Sequence, residues 1–585
     1  MAEINRDNLY RPATEADVIE LVRHAHANYR KIRICGSGHS VLQAIVTDGF
    51  DAESSTTSDP NVLNVGLERL NSVNFERMID PSNPRGGLVE VARVGGGLFI
   101  GPDPLGPDVA TERPNLIAYL RARRKALCVV GGITHQSVAG FMSTGSAGAS
   151  ILHSFGDSVL ALRLVDGTGA VLILQRSPAT ASPAEIQANP FYWVGVSMGL
   201  LGVITEVTLR IEDEFDIEGT FSTCDVESFE YDLLGTDSTK QPIADFFRKN
   251  TYARLLWWPQ QGVNRVQTWR CERVQPGGEL NPHVQFEHPA LEQSLIGTLY
   301  QRVLPFVKDG DWEQAQAGLE LLKGQLGEVL AGMAAAAVAA VTSLVLPTAG
   351  PSQEQLARAL AELEGLVAEA STNKLPPEPI YARMLGGIIG LFLGTDTSET
   401  PFNDSWWHGI PDDNQISDKL VPVCFTEVWV PLNRATDVMR AIGELYRTEL
   451  GPIARGSFCI EIYAGPKSDF PMSAAYGTDV LRIDVFALEG GPESADLDAF
   501  YKPLWEKLAQ FDGRFHWGKR LAPPSSEAGL DYLRRVMGEK LTEFLETRDE
   551  FDPNGVFLTN YWSRHLGIAA RGAESGVWSQ SKAAE

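Results

Sequence analysis

The chain has 585 residues, with 75 acidic against 50 basic side chains and a formal net charge of −25. That length exceeds one ordinary core and predicts two or three domains, and 44% apolar with 21% charged residues is the composition of a folded chain. The charge argues against nucleic acid or an anionic membrane as partner, because phosphates need cations that such a surface does not offer.

The opening, MAEINRDNLYRPATEADV, is polar and shows no apolar core of a secretory signal. Cys35, Cys128, Cys224, Cys271, Cys424 and Cys459 form no C-x-x-C pair, so no metal site and no disulfide framework is indicated. A cytoplasmic location is expected. ATEADVIELVRHAHAN predicts a helix capped by Thr14, with Glu15 and Asp17 in its first turn. The β-rich KIRIC follows, then Gly36-Ser37-Gly38-His39-Ser40. Glycine lets backbone approach a ligand closely, and successive N–H groups in such a turn form an anion-binding concavity. Residues 35–41 are therefore predicted to cradle a phosphate or pyrophosphate, although glycine turns after strands are common and the third glycine of a Rossmann fingerprint is absent.

GLVEVARVGGGL reads as a strand entering another glycine turn. VVGGITHQSVAGFMSTGSAGAS, residues 129–150, has Gly or Ala at eight of twenty-two positions. A surface loop has no need of that, whereas a large flat ligand lying on the backbone does. LALRLVDGTGAVLIL and GVITEVTLRI complete a first part, to about residue 212, of short strands in mixed order with helices between.

From 213 to 511 the pattern changes. YARLLWWPQ and VQTWRCERV predict strands, followed by a helical, proline-punctuated insert over about 289–420. Within it, residues 329–346 carry no charge and end at Pro347, the shortest length worth weighing as a membrane span. The segment is rich in alanine and follows an amphipathic run, so a buried or cap helix is the expected reading. MLGGIIGLFLG, nearby, leaves an apolar entrance or contact with a membrane surface open. CFTEVWVPL, FCIEIYAG and DVLRIDVFAL then predict strands of a largely antiparallel domain. Residues 512–567 read as helical and returning to the first domain, and 568–585 as a loose tail.

Four motifs in order carry a resemblance: R-x-x-G-x-G-H-S from Arg33, G-G-x-T-x-x-x-x-A-G-x-x-S-T-G from Gly131, F-G-D-x-V-L-A-L-x-L-V from Phe155, and G-L-x-G-V-I-T-E-V-T-L from Gly199. Together they resemble the FAD-linked oxidases of the vanillyl-alcohol oxidase type. HWGK at 516–519, FDPNGVFLTNYWSRHLG at 551–567, TEVWVPL at 426–432 and CIEIYAG at 459–465 are similar to the aldonolactone oxidase and alditol oxidase branch. The resemblance spans most of the chain outside the insert.

It implies an α+β flavoprotein: a PCMH-type FAD-binding domain over 1–212, completed by 512–567, and a mostly antiparallel substrate (cap) domain over 213–511. In such proteins the first loop, here Cys35, Gly36, Ser37, Gly38, His39 and Ser40, wraps the FAD pyrophosphate. Gly132, Thr134, Val138, Gly140, Ser143, Gly145, Ser146 and Gly148 of the second loop, with Gly202, Val203 and Ile204, would complete the cofactor site. The resemblance implies a covalent bond from His39 to the flavin 8α-methyl, with simple packing of His39 against the flavin as the alternative. Cys128 stands too early in the second loop for a second bond. Lys519, Glu461, Tyr463 and His516 are the implied catalytic residues. Lys519 would meet the substrate hydroxyl, and Glu461 would orient the substrate.

Three positions depart from the branch. Tyr463 stands where an arginine is usual, Phe486 where a small polar residue is expected, and Ala147 where a histidine is usual. With Trp257, Trp258 and Trp269, these put a sugar or polyol in doubt and suggest a bulkier or more apolar alcohol. The covalent-flavin cholesterol oxidases are similar in length and in having an expanded cap. O2, reduced to hydrogen peroxide, is the implied acceptor, and Ser146 a candidate for controlling its access. A quinone or protein acceptor is the alternative. A flavoprotein scaffold without catalysis is a third reading, which retention of both His39 and Lys519 opposes.

Overall fold

Two antiparallel sheets with helices around them organise the chain, the α+β arrangement expected. The computed structural model describes residues 9–569 except 52–55, 58, 60, 103–113, 261, 284–288, 340–352, 394–397, 412, 415, 417–420, 451–457 and 491–495.

Glu15–Ala27 forms the first helix. Thr14 Oγ1 accepts the Asp17 N–H at 3.2 Å and Asp17 Oδ2 accepts the Thr14 N–H at 2.8 Å, a reciprocal cap that holds the first turn. Val18, Val22 and Ala25, one helical face, are buried. They pack with Ile32 of the strand Lys31–Cys35, which pairs in parallel with Val62–Gly66. Val556 and Phe557 share that small core, and the Val556 carbonyl accepts the Ile32 N–H at 2.8 Å. Residues far apart in sequence thus seat the first strand.

Beside it lies a five-stranded antiparallel sheet in the order Val73–Ile79, Leu88–Gly95, Gly202–Arg210, Val159–Asp166, Val171–Gln175. The second sheet has eight antiparallel strands: Thr400–Ser405, Asp216–Asp225, Arg265–Val274, Tyr252–Trp258, Ile460–Gly465, Val480–Leu488, Val423–Pro431 and Arg514–Phe515. Its central strands are buried on both faces, so the period-two alternation of a half-exposed strand is lost and polar residues stand in the interior.

The insert differs from a purely helical expectation. Its helices Pro289–Arg302, Leu304–Asp309, Trp312–Ala339, Gln353–Asn373 and Pro377–Leu393 build their own apolar core against Leu256, Trp258, Val423 and Leu488 of the second sheet. Thr400–Ser405 is instead an edge strand on Asp216–Asp225, where Pro401 costs no ladder bond and Phe402 stacks on Trp269 with ring centres 6.1 Å apart. No helix of the described residues is long and apolar enough to cross a membrane. Residues 340–346 of the uncharged stretch and 570–585 of the tail lie outside the described residues.

Candidate active site

Strand Lys31–Cys35 ends at the glycine loop, and the loop opens onto a cavity of about 1030 Å³, its mouth included. Its wall brings together Cys35, Gly36, Ser37, Gly38, His39 and Ser40; Gly140, Ser143 and Ser146; Gly202, Val203 and Ile204; and His516 and Lys519. Sequence reasoning did not single out Gly96, Gly97, Gln136, Ser137, Met198 and Trp562, which also line it.

The glycines are there because backbone must come close. A Cβ on Gly36 would stand 2.8 Å from Ser137 Oγ, and one on Gly140 2.7 Å from the same atom, so the two loops interlock around one hydroxyl. Gly38 has φ +96°, a conformation side chains resist, and a Cβ there would meet nothing within 4 Å. At Gly97 a Cβ would run into the Leu67 carbonyl.

Behind the loop, Arg33 is buried. Its guanidinium donates to the carbonyls of Ala44 (2.9 and 2.6 Å) and Met198 (2.6 Å). Burial pulls it down to about 10, and among the described residues it has no acidic ion-pair partner. A buried cation facing a glycine-lined cavity suits an anionic ligand such as a diphosphate. The residues present therefore fit FAD.

The second loop divides. Gly132 and Thr134 are covered by Asp413 and Asn414: the Gly132 carbonyl accepts the Asp413 N–H at 2.8 Å, and Asn414 Oδ1 accepts the Thr134 N–H at 2.9 Å. Val138 is a core residue whose N–H donates to the Leu98 carbonyl. Gly145, at φ +70°, turns the chain against Val196, and Gly148 packs on the Val130 carbonyl while its own accepts Arg482 Nη1–H at 3.0 Å. None of these five lines the cavity as the motif implied.

His39 meets His135 edge to face, ring centres 4.4 Å apart. Lys519 Nζ reaches the His39 carbonyl at 3.4 Å and lies 3.8 Å from the centre of the Phe425 ring. Buried His516 is fixed by two bonds: its Nδ1 accepts the Gly518 N–H at 3.2 Å, which leaves the proton on Nε2 to donate to Ser146 Oγ at 3.1 Å. Burial lowers its pKa to about 4, opposed by Glu427, so the ring is neutral at pH 7.

Glu461 and Tyr463 stand apart from the cavity wall, on the second sheet. Strand register builds a polar platform: Glu461, Asp484 and Glu427 lie side by side on three adjacent strands, and Tyr463, Arg482 and Trp429 form the neighbouring row. Tyr463 Oη–H donates to Glu461 Oε1 at 2.5 Å, and Arg254 Nη1 lies 3.1 Å from the same oxygen while also pairing with Asp413. Burial, then the Asp413 charge, raise Glu461 to about 8. Burial alone would also raise Glu427. The His516 ring and the charges of Arg482 and Lys519 overcome this and bring it down to about 2.

The next row is aromatic: Phe425 stacks on Phe486 (4.5 Å), Phe458 meets Phe486 edge to face (5.9 Å) and Trp258 lies tilted against Phe458 (5.2 Å), all against the insert. Phe486 thus has a partner. Trp257 and Trp269 fill the main core instead, and Ala147 packs beside the Trp429 cluster.

Residues 415–565 match the family model described as D-arabinono-1,4-lactone oxidase. The chain is 29% identical to the D-arabinono-1,4-lactone oxidase of Eremothecium gossypii over 96% of its own length and 93% of that protein's. It is 21% identical to the L-gulono-1,4-lactone dehydrogenase of Mycobacterium tuberculosis, covering 96% of each chain. Among solved structures it superposes on cholesterol oxidase from Brevibacterium sterolicum with a TM-score of 0.57 and 14% identity, covering 95% of this chain and 93% of that one. That likeness is one of fold.

Proposed function

We infer that this chain is an FAD-dependent oxidoreductase acting on CH–OH donors, similar to the aldonolactone oxidases. One observation carries this reading: a single cavity wall joins the interlocked glycine loops, the buried Arg33, and the side chains of His516 and Lys519. The loops would hold the cofactor's diphosphate and flavin by backbone N–H groups, and Arg33 would balance its charge. FAD bound there supplies the acceptor for the hydride that leaves the substrate carbon.

The protein's own part is to orient and to hold charge. Lys519 presents an ammonium beside the first glycine loop, suited to the negative charge that develops on the substrate oxygen as its proton leaves. Neutral His516 holds the Ser146 hydroxyl in place at the cavity wall. Glu461, with Arg254 and Tyr463, offers a hydrogen-bonding platform for the rest of the substrate.

The proposed substrate class is a lactone or related secondary alcohol, as the names of the relatives suggest, with O2 reduced to hydrogen peroxide. The relative named a dehydrogenase favours a second reading, in which another acceptor takes the electrons. Phe425, Phe486 and Phe458 support a lactone-sized substrate with an apolar part. A covalent bond from His39 to the flavin also belongs to this proposal and is supported by the motif and by the place of His39 at the cavity.

The test is acid precipitation of the purified protein beside a His39→Ala variant, followed by oxygen uptake and peroxide release on a panel. The panel holds D-arabinono-1,4-lactone, L-gulono-1,4-lactone and apolar secondary alcohols, with a dye acceptor in parallel. Expected are a yellow pellet from the wild type only and turnover of at least one panel member. Flavin in the supernatant would remove the covalent bond, and no turnover with either acceptor would remove the function.

A further inference from the structure

The central carboxyl of the acidic row has no role in the reading above. Asp484 is buried between Glu461 and Glu427, directly opposite both in strand register, where side chains come within about 5 Å. The donors in this platform are allocated unevenly. Glu427 Oε1 accepts from Trp429 Nε1 (2.6 Å) and Arg482 Nε (3.1 Å), and Glu461 Oε1 from Tyr463 and Arg254. Among the described residues, Asp484 Oδ1 is buried with no hydrogen-bond partner.

Donors favour the ionised form, and neighbouring carboxylates disfavour it. Three carboxyls side by side cannot all ionise, and the one whose oxygen lacks donors holds its proton most firmly. The charged and titratable groups around it are Arg482 on its own strand, Glu461 and Tyr463 on one neighbour and Glu427 on the other. Arg254, Asp413, His516 and Lys519 stand beyond them. Burial first, then Glu427 and Glu461, push Asp484 well above the usual carboxylate range, against Arg482 and Lys519. Asp484 thus keeps, among the described residues, one buried oxygen unused in the row that the functional reading offers to the substrate.

We propose that Asp484 is protonated in the resting protein and donates its hydrogen bond to an acceptor oxygen of the bound substrate, which selects alcohols whose reacting carbon neighbours a lactone carbonyl or ring oxygen over plain alcohols. This rests on the functional reading above. No bond breaks in the step; the proton stays on Asp484 and only its hydrogen bond forms.

The test uses the flavin-loaded protein, infrared difference spectra of wild type against Asp484→Asn, and kinetics of Asp484→Asn and Asp484→Leu. Expected in the wild type at pH 7 is a carbonyl stretch of a protonated carboxylic acid that is distinct from any contributed by Glu461, is lost in Asp484→Asn, and shifts when L-gulono-1,4-lactone is added without oxygen. Asp484→Asn, still neutral and still a donor, should keep KM for the lactone within about threefold, and Asp484→Leu should raise it roughly tenfold, clearly more than it raises KM for plain alcohols. Absence of the acid band, or a band that lactone does not move, overturns the proposal, and so does an Asn variant as impaired as the Leu variant. Because the band needs no turnover, a protein that binds lactone without oxidising it would refute the functional reading and leave the proton assignment standing.

Discussion

Replacing Glu427 by glutamine should expose how much the second sheet depends on one buried ion pair. Glu427 lies 3.0 Å from Arg482 Nη2, accepts the Trp429 indole N–H, and is 3% exposed. Its carboxyl is held well below the usual carboxylate range, by His516 first and then by Arg482 and Lys519. Removing one partner of a buried pair typically costs roughly 3–5 kcal/mol, because the other charge is stranded. Glutamine keeps an acceptor for Trp429, so the loss falls on Arg482, and Glu427→Gln should destabilise by about 3 kcal/mol at pH 7. Urea unfolding at fixed flavin content, followed by tryptophan fluorescence, reads this, since Trp429 is beside the pair. Arg482→Met should cost a similar amount, and the double variant clearly less than the sum. A depressed carboxyl contributes stability above its unfolded pKa and loses it as pH falls through the folded one. The difference between wild type and Glu427→Gln should therefore narrow below pH 4.5. A cost under about 0.5 kcal/mol, or strict additivity with Arg482→Met, would refute the reasoning.

Three further outcomes follow from the site. Lys519→Met should lower kcat by about 100-fold or more with flavin content unchanged, because one charge aimed at a developing oxyanion is removed; steady-state rates beside the flavin spectrum check it. Gly97→Ala forces a Cβ into the Leu67 carbonyl and should cost roughly 1–3 kcal/mol of stability, seen in urea unfolding, and weaken FAD retention on gel filtration. Phe486→Thr removes half of the Phe425–Phe486 stack and should move kcat/KM roughly tenfold from apolar alcohols toward sugar lactones, measured on the same panel.

The first glycine loop was legible because a backbone constraint writes itself into local sequence: Gly36 and Gly38 stand where the motif puts them, at the cavity. Gly132 and Thr134 were not legible, because Asp413 and Asn414, some 280 residues downstream, cover them and leave no local mark. The acidic row escaped for a related reason. Asp484 and Arg482 alternate in DVLRIDVFAL as on a solvated strand face, and only cross-strand register sets them beside Glu427 and Glu461. Likewise the edge strand Thr400–Ser405 is short and contains Pro401, a poor strand signal that tertiary pairing overrides.

The most direct test is spectroscopic. The purified protein, supplied with FAD and freed of excess, is mixed with D-arabinono-1,4-lactone or L-gulono-1,4-lactone without oxygen while the flavin absorbance is followed. Near-stoichiometric flavin that bleaches with lactone and recovers when an acceptor is admitted is the expected result. A protein that retains no flavin, or one whose flavin neither lactone nor any alcohol of the panel bleaches, would contradict it.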